Sequence, residues 1–280
     1  MIRESWNNYG SYDISHPALE NGRIIVLNTT FLSARYQNSC GESAEDPGQG
    51  MLKWLEGRLS DAASHRRRVW LVYHIPPGID GYATTHPKGS NAESVVTMWR
   101  PPYEIAFEKL LSRYAGTVQN QFAGHSHFDD FRLLGKPGAY SSFVLLSPGL
   151  SPNVRQNPAF REVTFRPDGR MVDQSTYYLA NLQESAQGSA PEWKQEYSFR
   201  HAWGSNAVDL ANLVQLYSRL QDVPAVRELW KTFYSVSNGA GENMTPKAFF
   251  AVACATGNVL PEDYRTCFCR QIPGAAFCRN

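Results

Sequence analysis

No apolar stretch in these 280 residues approaches the roughly 20 that a membrane-spanning helix needs. Charge of one sign is also missing. Lys and Arg total 27 against 26 Asp and Glu, a net charge of +1, which leaves no basic footprint for nucleic acid. The only basic run, Arg66-Arg67-Arg68, reads as the end of a helix complementing its macrodipole. No Gly-x-Ser-x-Gly occurs, which removes the nucleophile elbow of serine hydrolases. Met1-Ile2-Arg3-Glu4-Ser5-Trp6 lacks the apolar core of a secretory leader, and no internal repeat is visible. Cysteine is absent between Cys40 and Cys254, so the bulk of the chain has no covalent brace of its own.

What is present describes an ordinary globular protein with ample core, 42% apolar and 19% charged. Cys254, Cys267, Cys269 and Cys278 crowd the end, without the paired Cys-x-x-Cys knuckles of a structural zinc site. Two disulfides in any of three connectivities are expected, which points to an oxidising compartment; Cys40 has no evident partner.

Residues 23–28 form a short β-branched run suited to a buried strand. Asp46-Pro47-Gly48-Gln49 is a helix start, with an N-cap, proline at the first helical position and an amide at N3. Met51, Leu52, Leu55 and Leu59 then carry a helix to about Ser64. A strand over 69–73 ends at His74. After Pro101-Pro102 a second helix is expected, with Ile105, Phe107, Leu110, Leu111 and Tyr114 as its apolar stripe. The strand over 118–123 ends at Gly124-His125-Ser126-His127. Three further strands follow at 142–146, 161–165 and 171–178, the last two joined by the hairpin signal Pro167-Asp168-Gly169. This order predicts an α/β layered sandwich (α+β in its second half), occupying residues 1–183. From about Pro191 the pattern reads as helical, giving a cysteine-bearing subdomain over 191–280.

Two histidine-bearing turns carry the chemistry. His74-Ile75-Pro76-Pro77-Gly78 and Gly124-His125-Ser126-His127 each follow a buried strand, where the loops of α/β sheets bind ligands. Neutral imidazoles delivered to one rim are the raw material of a transition-metal site. In an extended segment His125 and His127 would point the same way. Asp129 and Asp130 are expected to orient the imidazoles rather than bind metal. His16, His65, His86 and His201 read as surface residues, and the aromatic segment 99–103 as loop packing.

These segments resemble the last two metal motifs of calcineurin-like metallophosphoesterases, and acid sphingomyelinase and its relatives in particular. Ile25-Val26-Leu27-Asn28, Trp54-Leu55, residues 121–125, 157–161 and 177–182, and the cysteine-rich helical tail extend the likeness from about Asn21 to the end. The resemblance implies a metal-dependent phosphodiester hydrolase using two divalent cations, zinc first among them. His74 and His125 would hold one metal and His127 the other. Two such ions, about 3.5–4 Å apart, orient the phosphorus and neutralise developing charge. The implied substrate is a small phosphodiester or a phospholipid, and the implied setting a secreted, periplasmic or lysosome-like compartment.

The family's Asp-x-His, Gly-Asp and Gly-Asn-His motifs do not occur here; Gly257-Asn258-Val259 lies in the tail and does not match. The expectation is therefore a partial domain beginning after those motifs. Metal binding would be weak or mononuclear, turnover slight, and self-association would follow from an exposed sheet surface. The rival expectation is a non-catalytic protein with a vestigial site. Asn28-Thr29-Thr30 and Asn243-Met244-Thr245 match the glycosylation pattern, which matters only in a eukaryotic secretory setting.

Overall fold

The computed structural model describes residues 2–39, 41, 46–86, 94–238 and 244–278. Cys40 and Asn243 lie outside them. The first six strands form one mixed sheet and the last three an antiparallel sheet, with ten α-helices among the described residues.

Helix α1 (Ile2–Tyr9) and strand β1 (Tyr12–Ser15) precede β2 (Gly22–Leu27). A 3-10 turn, Thr29–Leu32, follows, and α2 (Pro47–Ser64) leads to β3 (Arg68–Tyr73). The start of α2 is as the sequence predicts. Asp46 Oδ1 accepts from the backbone N–H of Gly48 at 2.8 Å and of Gln49 at 3.1 Å, with Pro47 at the first position. Then come α3 (Gly81–Thr85), α4 (Pro101–Arg113), β4 (Val118–Ala123), β5 (Asp130–Lys136) and β6 (Ala139–Leu146). The sheet order is β1-β2-β3-β4-β6-β5. Strands β2, β3, β4 and β6 are mutually parallel, so their carboxyl ends share one rim. Strand β5 pairs antiparallel to β6 as a hairpin at the edge.

Alternation along the strands assigns the two faces. Val144 and Leu146 join Leu71 and Tyr73 under α2 and α4, packed by Met51, Leu55, Leu59, Phe107 and Leu111. Phe143 and Leu145 face the other way, into the tail helices. Both faces being covered explains the near-continuous apolar runs of β3 and β6. On α4 the buried stripe is Tyr103, Glu104, Phe107, Leu110 and Leu111, while Ile105 is on the solvent side. The pattern reading therefore missed the face by one residue at its first turn.

Strands β7 (Ala159–Phe165) and β8 (Met171–Leu179) form the expected hairpin, with Gly169 at φ 78 in its turn. After α5 (Leu182–Ala186), β9 (Trp193–Ser198) pairs with β8. The sequence pattern predicts helix from about Pro191. Ladder pairing of a Trp- and Tyr-bearing segment overrides the weak helical preference of its Lys, Gln and Glu. This sheet is stitched to the first: Phe165 packs edge-on to Trp70 with ring centroids 5.0 Å apart, and Asn120 Nδ2 donates to the Gly169 carbonyl at 3.0 Å. His16 belongs to that contact, buried edge-on to Trp70 with Nδ1 accepting from the Ala18 and Leu19 amides. It is not the surface residue the sequence suggested, because its ring fills the seam between sheets.

The tail comprises α6 (Phe199–Trp203), α7 (Leu210–Asp222), α8 (Pro224–Tyr234), α9 (Pro246–Gly257) and α10 (Pro261–Gln271). Its core of Leu213, Leu216, Trp230, Phe249 and Phe268 is continuous with Phe131, Leu133 and Phe143 of the sheet. Cys254 is bonded to Cys267 and Cys269 to Cys278, which selects one of the three connectivities. No described helix is long and apolar enough to cross a membrane.

Candidate metal centre

The rim formed by the ends of β3 and β4 brings His74 and His125 together. His125 Nδ1 and His74 Nε2 lie 3.2 Å apart, one donating and the other accepting, with the rings edge-to-face at 5.1 Å between centroids. Because β3 and β4 are adjacent and parallel, the residues leaving them emerge side by side. The His74 carbonyl accepts from the Gly124 amide at 3.0 Å, which extends the strand pairing into the turns.

The second turn is not extended. His125 has φ 71 and His127 φ 65, both in the left-handed region, which non-glycine residues seldom adopt. The Ser126 amide donates to the Gly124 carbonyl at 2.8 Å, closing a three-residue turn around His125. His125 and His127 therefore do not share a direction by extended alternation, as their spacing suggests, since left-handed residues break the twofold repeat. His127 aims Nδ1 at the Ser151 carbonyl, 3.2 Å away, and its own carbonyl accepts from Gly149. Gly149 is required there: a Cβ would fall 2.7 Å from the His127 ring.

Partial burial, and then the facing His74 imidazole, lower the His125 pKa below its ordinary value; Asp80 opposes the shift. Asp80 caps α3 through the Ala83 amide at 2.9 Å and pairs with Arg35 at 3.2 Å. Beside His125 opens a cleft of about 550 Å³ lined by Asp80, Tyr82, Ser126, Arg155 and Val252, among others. Helix α9 thus supplies part of its wall.

Asp129 and Asp130 do not face the imidazoles. Asp129 accepts from Arg161, from Thr176 Oγ1 at 2.5 Å and from Tyr197 OH at 3.0 Å; Asp130 pairs with buried Arg132. Both carboxylates turn inward because β5 begins there and faces the tail helices. Of the aromatic segment, Trp99 is fully buried against Tyr73 and Phe107, as the packing reading expected. Its indole N–H also reaches the Ile75 carbonyl at 3.0 Å, beside His74.

The donor set fits one cation in part. Tetrahedral zinc binds imidazole nitrogen at about 2.0–2.1 Å, which sets two such ligands about 3.3 Å apart, and the His74–His125 pair has that spacing. Among the described residues no group of three or more His, Cys, Asp or Glu completes a coordination shell.

No family model matches the chain. It is 28% identical over 257 residues to acid sphingomyelinase-like phosphodiesterase 3b of Homo sapiens, covering 88% of this chain and 53% of that protein. It is 26% identical over 273 residues to the cyclic GMP-AMP phosphodiesterase SMPDL3A of Rattus norvegicus, covering 94% and 58%. A third relative, sphingomyelinase phosphodiesterase D of Dictyostelium discoideum, is 26% identical over 181 residues, covering 63% and 38%. The chain spans about half the length of the first two relatives. Over most of its residues this chain is a homologue of the acid sphingomyelinase-like phosphodiesterases, of the calcineurin-like metallophosphoesterase superfamily.

Proposed function

We propose that this chain carries the C-terminal part of a metal-dependent phosphodiester hydrolase. His74 and His125 would hold one divalent cation, zinc first, and His127 would face a second. The observation that supports this most is the 3.2 Å approach of two imidazole nitrogens from neighbouring strand ends, in a chain homologous to phosphodiesterases. Bound at the pair, the cation would supply Lewis acidity toward a phosphoryl oxygen.

The chain's own groups would do the rest. His74 and His125 offer neutral nitrogen donors. Arg155 and Ser126 line the cleft into which the substrate's phosphoryl group would enter, and Asp80 holds Arg35 at the same end. A small phosphodiester or a phospholipid headgroup is the proposed substrate, and a secreted, periplasmic or lysosome-like compartment the proposed setting, in keeping with two disulfides.

By itself this chain is proposed to turn over slowly, because Gly-Asp, the motif whose carboxylate the family resemblance implies would bridge two cations, does not occur in these residues. Without it, two like charges repel at close range. Metal content by mass spectrometry and hydrolysis of bis(p-nitrophenyl) phosphate test the reading. At most one tightly held divalent ion per chain and slight turnover are expected; two tight ions with vigorous turnover would contradict it. The second reading, a non-catalytic protein with a vestigial site, is favoured by the missing third ligand among described residues. Unchanged metal content in His125→Ala would decide for it.

A further inference from the structure

The turn that carries His74 is tied into the core at its backbone groups. The Ile75 amide donates to Thr29 Oγ1 at 2.9 Å, and the Ile75 carbonyl accepts from Trp99 Nε1 at 3.0 Å. The Gly78 amide donates to Glu104 Oε2 at 2.9 Å, and its carbonyl accepts from the Met98 amide at 2.8 Å. Pro76 and Pro77, between them, have no N–H to satisfy. Thr29 and Glu104 come from different layers: the 3-10 turn after β2 and the first turn of α4.

Glu104 is the unusual member. It is 2% exposed, and its second oxygen, Oε1, is buried with no hydrogen-bond partner. A carboxyl group there costs free energy on burial that an apolar side chain would not. What it gains is the Gly78 amide, a donor that would otherwise be stranded in the core. Gly78 has φ 101, and a Cβ on it would lie 3.0 Å from Val259, so its backbone packs closely against that residue and a side chain there would be strained.

We propose that Glu104 and Thr29 are positioning residues for His74: by satisfying the Gly78 and Ile75 amides inside the core, they fix the turn so that its imidazole meets His125. The proposal rests on the reading of that pair as the cation-holding element. Burial pushes the Glu104 pKa up to about 8, so near neutrality the group there is an uncharged carboxylic acid. Glutamine, which keeps a carbonyl acceptor of the same reach, should therefore replace it, and alanine should not.

The test compares Glu104→Ala, Glu104→Gln and Thr29→Val in the full chain. It uses zinc alone as probe, in competition with a chelator, together with hydrogen exchange of the Gly78 and Ile75 amides. Glu104→Ala is expected to weaken zinc affinity 10- to 100-fold, the usual effect of losing a group that orients a ligand, and to speed Gly78 exchange at least tenfold. Glu104→Gln restores both to within about threefold of the parent, by the same reasoning. Thr29→Val, nearly isosteric, weakens zinc and speeds Ile75 exchange, which keeps the test decisive should Glu104→Ala fail to fold. Zinc affinity and exchange unchanged in Glu104→Ala or Thr29→Val overturn the proposal, as does a Glu104→Gln chain as impaired as Glu104→Ala. If the parent chain binds no zinc, the cation reading fails, while the exchange rates still decide whether Glu104 and Thr29 fix the turn.

Discussion

The two histidine turns sit side by side on one rim and are built in opposite ways. The turn after β3 puts its positive φ on Gly78, where it costs nothing sterically, and satisfies its amides with donors and acceptors drawn from the core. The turn after β4 puts positive φ on His125 and His127 themselves, at roughly 1–2 kcal/mol each for an L-residue. Its partners are backbone groups of the 147–151 segment and its own Gly124 carbonyl. One histidine is exposed but leads into a turn anchored by the buried Thr29, Trp99 and Glu104; the other two are held in strained backbone that their surroundings must over-determine. Gly124, the glycine of this turn, is not at positive φ at all. The histidine after it is.

The largest expected effect asks whether the turns act as one unit. His74→Ala and His125→Ala should each abolish tight zinc binding, and the double variant should lose no more than either single, since both donors serve one ion. Additive losses, read from chelator competition, would show that the rings work separately.

Next in size is a glycine contrast. Gly149→Ala drives a Cβ into the His127 ring at 2.7 Å, while Gly124→Ala meets only His74 Nδ1 at 3.7 Å. Overpacking of the first kind costs about 1–3 kcal/mol, against about 0.5 kcal/mol or less for an ordinary contact. Urea denaturation of the two variants measures the difference, and equal costs would remove the claim that the second turn is sterically determined.

The pH dependence sharpens the first turn's side. Glu104 has a folded pKa of about 8 against 4.5 in the unfolded chain. The unfolded chain therefore releases its proton first as pH rises, and the parent loses stability between those values. Glu104→Gln has no proton to lose, so its stability relative to the parent should climb from pH 4.5 to pH 8 and level off above. A flat difference across that window would show that Glu104 is charged in the fold.

The smallest effect belongs to the strained turn. His127→Gly relieves a left-handed backbone and should raise stability by no more than about 1 kcal/mol, the loss of the Ser151 bond working against it. Destabilisation by several kcal/mol in thermal unfolding would mean that the imidazole, rather than the backbone, anchors this turn.

Much of this architecture was legible in the residues because it depends on short-range rules. The cap at Asp46, the Pro167-Asp168-Gly169 hairpin and the strands ending at His74 and Ala123 follow from local turn chemistry and alternation, and they place the three histidines at strand ends. Pairing was not legible in the same way. Strand β9 looked helical because its partner β8 lies outside any local window, and His16 looked exposed because what buries it, Trp70 and Phe165, comes from two sheets. Glu104 could have been found: it lies three residues before Phe107 and seven before Leu111, on the buried face of α4. A carboxylate in an apolar stripe is easily passed over in favour of the adjacent Ile105.

The sequence by itself determined which residues are available for metal chemistry and that they follow strands, since both are properties of residue type and spacing. Only the tertiary structure decided which imidazoles meet. That outcome depends on which strands lie adjacent, on left-handed φ values at His125 and His127, and on buried partners from Thr29, Trp99 and Glu104. Each of these is set by groups distant in the chain, whose mutual positions are fixed by packing of the whole core.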